Sequence, residues 1–134
     1  EIDPAGVLAS NQMGAVTVGP DVAVVSLCRM EDKLHHVPFR REFYILDNWG
    51  EGQNPHLGDV TRDAVETIEA FLAEGREVVV HCHGGRSRTG FILKAWYMRR
   101  YGVSDVEAHE WIEARWPYYA TWNDDFTDFL MDEW

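Results

Sequence analysis

Residues 81–90 form the segment HCHGGRSRTG, which brings a cysteine, two adjacent glycines and an arginine close together. Gly84 and Gly85 permit a tight curl in which successive backbone N–H groups surround one anion. The same N–H groups favour a thiolate, so we expect Cys82 to be an anionic nucleophile. Arg88 follows six positions after Cys82 and can return over the loop to hold two phosphoryl oxygens with its planar guanidinium. The segment therefore predicts attack of a cysteine on a phosphate group.

The other polar residues of this loop fit the same chemistry. The hydroxyl of Thr89 can donate a hydrogen bond to the sulfur of Cys82, which would help the sulfur leave when a phosphocysteine intermediate is hydrolysed. We expect His81 to orient the loop through backbone contacts. The residues expected to bind substrate, through loop N–H groups or through donors at the rim, are His83, Gly84, Gly85, Arg86 and Ser87.

Two other roles for the cysteine are open from the residues alone. Free cysteine is often buried, so Cys82 has a purely structural interpretation as a core residue at a strand end. A metal site made by His81, Cys82 and His83 is the second alternative. Arg86 and Arg88 would repel a cation there, and neighbouring side chains on a strand point to opposite faces. We therefore expect neither a metal ion nor another cofactor.

A strand and a helix must position the loop. Val78–Val80 is a β-branched run typical of a buried strand, and residues 91–101 are apolar enough and long enough for three helical turns. The sequence thus predicts that the loop joins the end of a strand to the N-terminus of a helix, where unpaired backbone N–H groups attract anions.

Phosphoryl transfer from an alcohol or phenol also needs a proton donor for the departing oxygen. Asp47 is the candidate acid, because it follows the strand-like residues 42–46 and opens a segment, residues 48–55, that is rich in glycine and asparagine and ends in proline. Glu51 is the alternative acid. Either carboxylate has a simpler interpretation as a solvated or turn-forming loop residue. Trp49 is expected to line the pocket or to cover it.

The motif His81-Cys82-x-x-Gly85-x-x-Arg88-Thr89-Gly90 resembles the signature of the cysteine-dependent protein tyrosine phosphatase superfamily, and the chain looks like a member of its small dual-specificity branch. The resemblance implies a twisted, mostly parallel sheet flanked by helices, Cys82 as nucleophile, Arg88 as phosphate clamp and an acid in the position of Asp47. Rhodanese-type sulfurtransferases also place a cysteine between strand and helix, but with a tighter spacing to the arginine. The spacing from Cys82 to Arg88 favours the phosphatase.

The resemblance also bears on the substrate. Tyrosine-specific members are longer and carry a loop that deepens the cleft, and nothing before Asp47 is long enough to build one. We predict a shallow pocket and a phosphorylated protein as substrate, with a phosphoinositide or another small phosphate ester as the alternative. His83 and Arg86 are reminiscent of members that act on phosphoinositides or on RNA 5′-triphosphates. A non-catalytic phosphopeptide-binding module is a further alternative, although the chain keeps Cys82 and its expected partners.

A second cysteine follows the apolar segment Val22–Leu27. The tripeptide Ser26-Leu27-Cys28 resembles the tensin-homologue lipid phosphatases, in which a cysteine at this place pairs with the nucleophile under oxidation. The resemblance implies a reversible disulfide between Cys28 and Cys82. The alternative is that Cys28 is a small core residue.

Length and composition limit the other possibilities. With 134 residues, the chain is expected to form one domain over residues 1–134. The net charge of −11 argues against nucleic acid and anionic membranes as partners, and no run of eighteen apolar residues predicts a transmembrane span. Because the chain begins at Glu1, we expect a trimmed chain and not a signal peptide. A reactive cysteine needs reducing conditions, so we expect the cytoplasm. The oligomeric state stays open.

Strand-like and helix-like segments alternate along the chain, which predicts an α/β fold with the cysteine loop at the carboxyl edge of a central strand. The expected strands are residues 22–27, 42–46 and 78–80. Four helices are expected. The first has Asp59 as its N-cap and ends before Gly75, and the second follows the loop and ends at Gly102. The third runs from the capping box at Ser104 toward Arg115, and the fourth spans residues 124–131.

Overall fold

A parallel sheet forms the centre of the protein. The computed structural model describes residues 2–31, 33–47, 54–84, 86–121 and 123–134. Within these residues the sheet has four strands, β1 (Val7–Ser10), β2 (Ala23–Ser26), β3 (Arg40–Glu42) and β4 (Val78–His81). Their order in the sheet is β1-β4-β2-β3, and every neighbouring pair is parallel. The parallel sheet expected from the alternating segments is confirmed.

Helices cover both faces of the sheet. They are α1 (Gln12–Ala15), α2 (Leu57–Ala73), α3 (Ser87–Tyr101), α4 (Asp105–Arg115) and α5 (Asp124–Asp132). Side chains from α2 to α5 pack with Val25 and Val80 in the larger apolar cluster. On the opposite face Ala15, from the short helix α1, packs in a smaller cluster with Val24 and Val79. Alternate strand residues therefore point to opposite apolar layers, which explains why the central strands are continuously hydrophobic.

The signals that end α3 and begin α4 act as the sequence predicts. Gly102 terminates α3 in the left-handed region at φ 65°, where a residue without a Cβ is unstrained. Ser104 then caps α4 by accepting a hydrogen bond from the backbone N–H of Glu107 at 3.2 Å. None of the helices in the described part of the chain is long and apolar enough to cross a membrane.

Two expectations about local structure were wrong, and two short elements were not expected. The strand expected at residues 42–46 is β3 at Arg40–Glu42, an edge strand whose side chains are all exposed, so its hydrophobic signal is absent. Phe43 and Ile45 are buried, but they follow the strand as irregular chain. Helix α2 begins at Leu57 and not after Asp59, which lies in its first turn and suits the helix dipole there. The sequence also gave no signal for β1 and α1, which have only four residues each.

Candidate active site

Cys82 directly follows β4, between the ends of the neighbouring strands β1 and β2. Its side chain is 3% exposed. Helix α3 begins five positions later at Ser87, so the loop joins a strand to a helix N-terminus. Thr89, in the first turn of α3 and fully buried, donates a hydrogen bond from Oγ1 to Cys82 Sγ at 3.1 Å. The loop and the first turn of α3 thus meet at the sulfur of Cys82.

His81 connects the sulfur-bearing residue to the sheet. Its Nδ1 lies 3.2 Å from the carbonyl oxygen of Cys82, and its Nε2 lies 2.6 Å from Ser26 Oγ. Burial lowers the pKa of His81, although the hydrogen bond to the Cys82 carbonyl opposes this. A neutral ring must then donate from Nδ1 to the carbonyl and accept at Nε2 from the Ser26 hydroxyl. His81 therefore holds the loop through a backbone contact, and the Cys82 carbonyl, which can only accept, fixes the tautomer of its ring.

Arg88 is half-buried in the second position of α3. Its Nη1 donates to the carbonyl oxygens of Leu27 at 3.0 Å and Ile45 at 3.3 Å. Its Nε is buried and has no hydrogen-bond partner within the described residues. The guanidinium is thus anchored by one nitrogen to the chain after β2 and to the chain after β3, while the Nε–H remains unpaired.

Cys28 lies beside this guanidinium and lines a cavity of about 90 Å³ together with Arg29, Tyr44 and Arg88. Burial raises the pKa of the Cys28 thiol, and the neighbouring Arg88 guanidinium opposes that rise. Ser26 lies beside His81 in the pairing of β2 with β4, so Cys28 and Cys82 follow neighbouring strands at the same edge of the sheet. Both are free thiols.

Asp47, which is half-buried, is held by a residue from the far end of the chain. Asn123 Nδ2 donates to Asp47 Oδ1 at 2.9 Å, and Asn123 Oδ1 caps α5 by accepting from the N–H of Asp125. The residue before the acid is fixed as well, because the Asn54 side chain accepts from Leu46 N at 2.9 Å and donates to Leu46 O at 2.8 Å. The sequence carries no signal for either tether.

The remaining predicted site residues differ in burial, and three of them lie outside the described residues. Ser87 is buried at the start of α3, whereas His83, Gly84 and Arg86 are exposed on the loop. The expectations for Trp49, Glu51 and Gly85 fall outside the described residues. Within the described part of the chain, no group of three or more histidine, cysteine, aspartate or glutamate residues is arranged to hold a metal ion.

Residues 24–132 match the family model described as "Dual specificity phosphatase, catalytic domain". The chain belongs to this family. A probable tyrosine-protein phosphatase of Candida albicans (strain WO-1) is 29% identical over 80 residues, which are 58% of this chain and 12% of that protein. Dual specificity protein phosphatase 5 of Rattus norvegicus is 31% identical over 70 residues, 50% of this chain and 18% of that protein. The dual-specificity phosphatase domain described here thus spans less than a fifth of either relative.

Solved structures share the fold of this dual-specificity phosphatase domain. The human tyrosine phosphatase-like serine/threonine/tyrosine-interacting protein superposes with a TM-score of 0.76 at 20% identity, covering 97% of this chain and 91% of that one. At this identity the similarity concerns the fold alone.

Proposed function

We propose that this domain is a protein tyrosine or dual-specificity phosphatase that hydrolyses phosphomonoesters through a phosphocysteine intermediate. The observation that carries the proposal is the Thr89 hydroxyl on the buried sulfur of Cys82, at the junction of β4 and α3. A thiol with a hydroxyl donor, at the N-terminus of a helix, is suited to be both nucleophile and leaving group. The names of the two sequence relatives support the same activity.

In the first step, the Cys82 thiolate attacks phosphorus, an S–P bond forms and the P–O bond to the leaving group breaks. Arg88 and the loop N–H groups from His83 onward hold the equatorial oxygens. In a guanidinium the Nε–H and one Nη2–H point along the same edge. Because Arg88 is anchored through Nη1, this edge remains for two phosphoryl oxygens.

Asp47 protonates the leaving oxygen in this first step. Since Asn123 occupies Oδ1, the other oxygen, Oδ2, carries the transferable proton. The ionised carboxylate then takes a proton from water, the water oxygen bonds to phosphorus, and the S–P bond breaks to release inorganic phosphate. The Thr89 hydroxyl stabilises the departing thiolate, and His81 keeps the loop oriented during both steps.

The experiment that tests the proposal is hydrolysis of p-nitrophenyl phosphate by the wild type and by Cys82→Ser, in EDTA with reductant. We expect activity in the wild type that is abolished in the variant. An inactive wild type that is folded and reduced would contradict the proposal and favour phosphopeptide binding or sulfur transfer, which phosphopeptide titration and a thiosulfate assay separate. Phosphopeptides are then compared with phosphoinositides, and we expect the phosphopeptides to be the better substrates.

We also propose that Cys28 protects Cys82 from irreversible oxidation. Hydrogen peroxide would convert the Cys82 thiolate to a sulfenic acid, and attack by the Cys28 thiol would then form the disulfide and release water. The two thiols follow the paired strands β2 and β4 at the same edge of the sheet, and this placement supports the proposal. Peptide mapping without reductant should find the Cys28–Cys82 pair in the wild type and Cys82 sulfinic acid in Cys28→Ser. Sulfinic acid without a disulfide in the wild type would contradict the proposal.

We propose that residues 1–134 form a single catalytic domain that acts on a phosphorylated protein in the cytoplasm, where thiols stay reduced. The two apolar clusters that share one sheet support a single domain.

A further inference from the structure

The short helix α1 contacts the cysteine loop from the face of the sheet opposite to α3. The backbone N–H of Gln12, its first residue, donates to the carbonyl oxygen of His83 at 3.1 Å. Strand β1 pairs with β4 in a register that sets Ser10 beside His81. Gln12 therefore comes opposite His83, and the hydrogen bond continues the β1–β4 pairing beyond the ends of both strands.

Three contacts fix this donor in place. The Asn11 side chain caps α1 by accepting from Gly14 N at 2.8 Å, and Ala15 is fully buried in the smaller apolar cluster. The Gln12 side chain donates from Nε2 to Met30 Sδ at 3.4 Å. The capped turn is closed, since a Cβ on Gly14 would lie 2.1 Å from Ser10 Oγ. The N–H of Gln12 is thus presented by a packed turn.

We propose that the backbone N–H of Gln12 is a positioning group that orients the loop for phosphate. The carbonyl of His83 and the N–H of Gly84 belong to one trans peptide unit, so they point in opposite directions. A carbonyl held toward α1 directs the Gly84 N–H away from α1 and into the loop. Glycine restricts rotation of this peptide less than any other residue does, so the orientation needs an external hydrogen bond.

This inference rests on the proposed function, in which loop N–H groups bind the phosphoryl oxygens. If the peptide between His83 and Gly84 rotated, a carbonyl oxygen would face the phosphate in place of an N–H donor. A carbonyl dipole repels an anion, so rotation would both remove an attraction and add a repulsion. The inference predicts that phosphate affinity depends on a main-chain group located on the far side of the sheet from α3.

Gln12→Pro removes this N–H with little other change. Proline is favoured at the first position of a helix, where the N–H has no partner within the helix. The residue before a proline must be extended, and Asn11 already is, with φ −89° and ψ 178°. Gln12→Ala removes the same side chain and its contact with Met30 but keeps the N–H. The ratio between the two variants therefore isolates the backbone hydrogen bond.

The dissociation constant of inorganic phosphate is measured by NMR titration, with the Gly84 amide as reporter, and kcat/KM is measured with p-nitrophenyl phosphate. In Gln12→Pro, compared with Gln12→Ala, we expect the dissociation constant of phosphate to be about five- to tenfold higher and kcat/KM to be lower by about the same factor. This is the effect of one lost hydrogen bond. Equal phosphate affinity in the two variants would overturn the inference.

A second pair of variants covers the case in which Gln12→Pro destabilises the fold. Asn11→Ala removes the cap of α1, whereas Asn11→Ser retains a capping oxygen. Phosphate binding should be weaker in Asn11→Ala than in Asn11→Ser, and equal binding would again overturn the inference.

The outcomes also separate the two proposals. If the wild type is active and the paired variants bind phosphate equally, only the positioning role is contradicted. A wild type that binds phosphate and hydrolyses no ester contradicts the proposed function, and the ratio of the variants still decides the positioning role. A wild type that neither binds phosphate nor hydrolyses esters contradicts both.

Discussion

The hydrogen bond from Asn123 to Asp47 allows the acid role to be tested without changing the acid itself. In Asn123→Ser the shorter side chain no longer reaches Asp47, so the contact of 2.9 Å between Nδ2 and Oδ1 is lost. Serine caps helices about as well as asparagine, so α5 keeps its N-terminal hydrogen bond. The Asn54 pair on Leu46 also remains. The variant therefore releases the Asp47 side chain alone.

The size of the effect follows from the place of this contact. A hydrogen bond to a neutral group contributes about 0.5–1.5 kcal/mol, and Asp47 is neutral when it acts as the acid, so loss of this contact costs about 1 kcal/mol. The fraction of Asp47 in position should fall about fivefold. Only a leaving group that needs a proton responds to this loss. We expect kcat/KM for phenyl phosphate to fall about fivefold, and that for p-nitrophenyl phosphate to change less, because p-nitrophenolate leaves more easily.

The assay compares both substrates in the wild type, Asn123→Ser and Asn123→Ala. The alanine variant also loses the cap of α5, at about 1 kcal/mol, and its thermal unfolding midpoint should be several degrees lower than that of the serine variant. An equal loss on the two substrates would refute the reasoning, because it would indicate general damage to the site. Unchanged or raised activity on phenyl phosphate would show that Asn123 does not hold Asp47 in its working position.

Three further predictions concern the loop and its anchors. Thr89→Val removes the donor 3.1 Å from Cys82 Sγ, so hydrolysis of the phosphocysteine should slow at least about tenfold. The slow step should produce a burst of p-nitrophenol. Equal slowing in Thr89→Ser, which keeps the hydroxyl, would assign the effect to packing. Burial lowers the pKa of His81, so the unfolded chain takes up this proton first as pH falls. The free energy of unfolding, measured with urea, should therefore be constant above about pH 6.5 and decrease below it, and the decrease should be less steep in His81→Gln. An equally steep decrease in the variant would implicate other histidines. Arg88→Lys keeps a positive charge but loses the edge formed by Nε–H and Nη2–H, so the dissociation constant of inorganic phosphate should rise at least about tenfold. An unchanged dissociation constant would exclude the bidentate clamp.

The local part of the site could be predicted from the sequence. A strand, a loop and a helix that follow one another within about two dozen residues are fixed by spacing and hydrophobic pattern, and the structure has β4, the loop and α3 in that order. The helix ends at Gly102 and Ser104 were also predictable, because a glycine stop and a serine cap act on their nearest neighbours.

The supporting contacts could not be predicted, because their partners are distant in sequence. Asn123 and Asp47 are separated by 76 positions, and Ser26 and His81 by 55. Single polar residues of this kind leave no periodic pattern, and only the folded chain shows which of them meet. The edge strand β3 escaped prediction for a different reason, since its exposed side chains lack the apolar signal of a buried strand.

The strand order explains why the proposed acid needs more support than the proposed nucleophile. Cys82 follows the interior strand β4, and the pairing of β4 with β1 and β2 fixes it. Asp47 follows the edge strand β3 after four residues of irregular chain, so the sheet does not fix it. Its position depends on three sets of hydrogen bonds. Asn54 holds the backbone of Leu46, Asn123 donates to Asp47 itself, and Arg88 donates to the carbonyl oxygen of Ile45. Because Arg88 is also the proposed phosphate clamp, substrate binding and placement of the acid share one side chain, and loss of Arg88 should affect both.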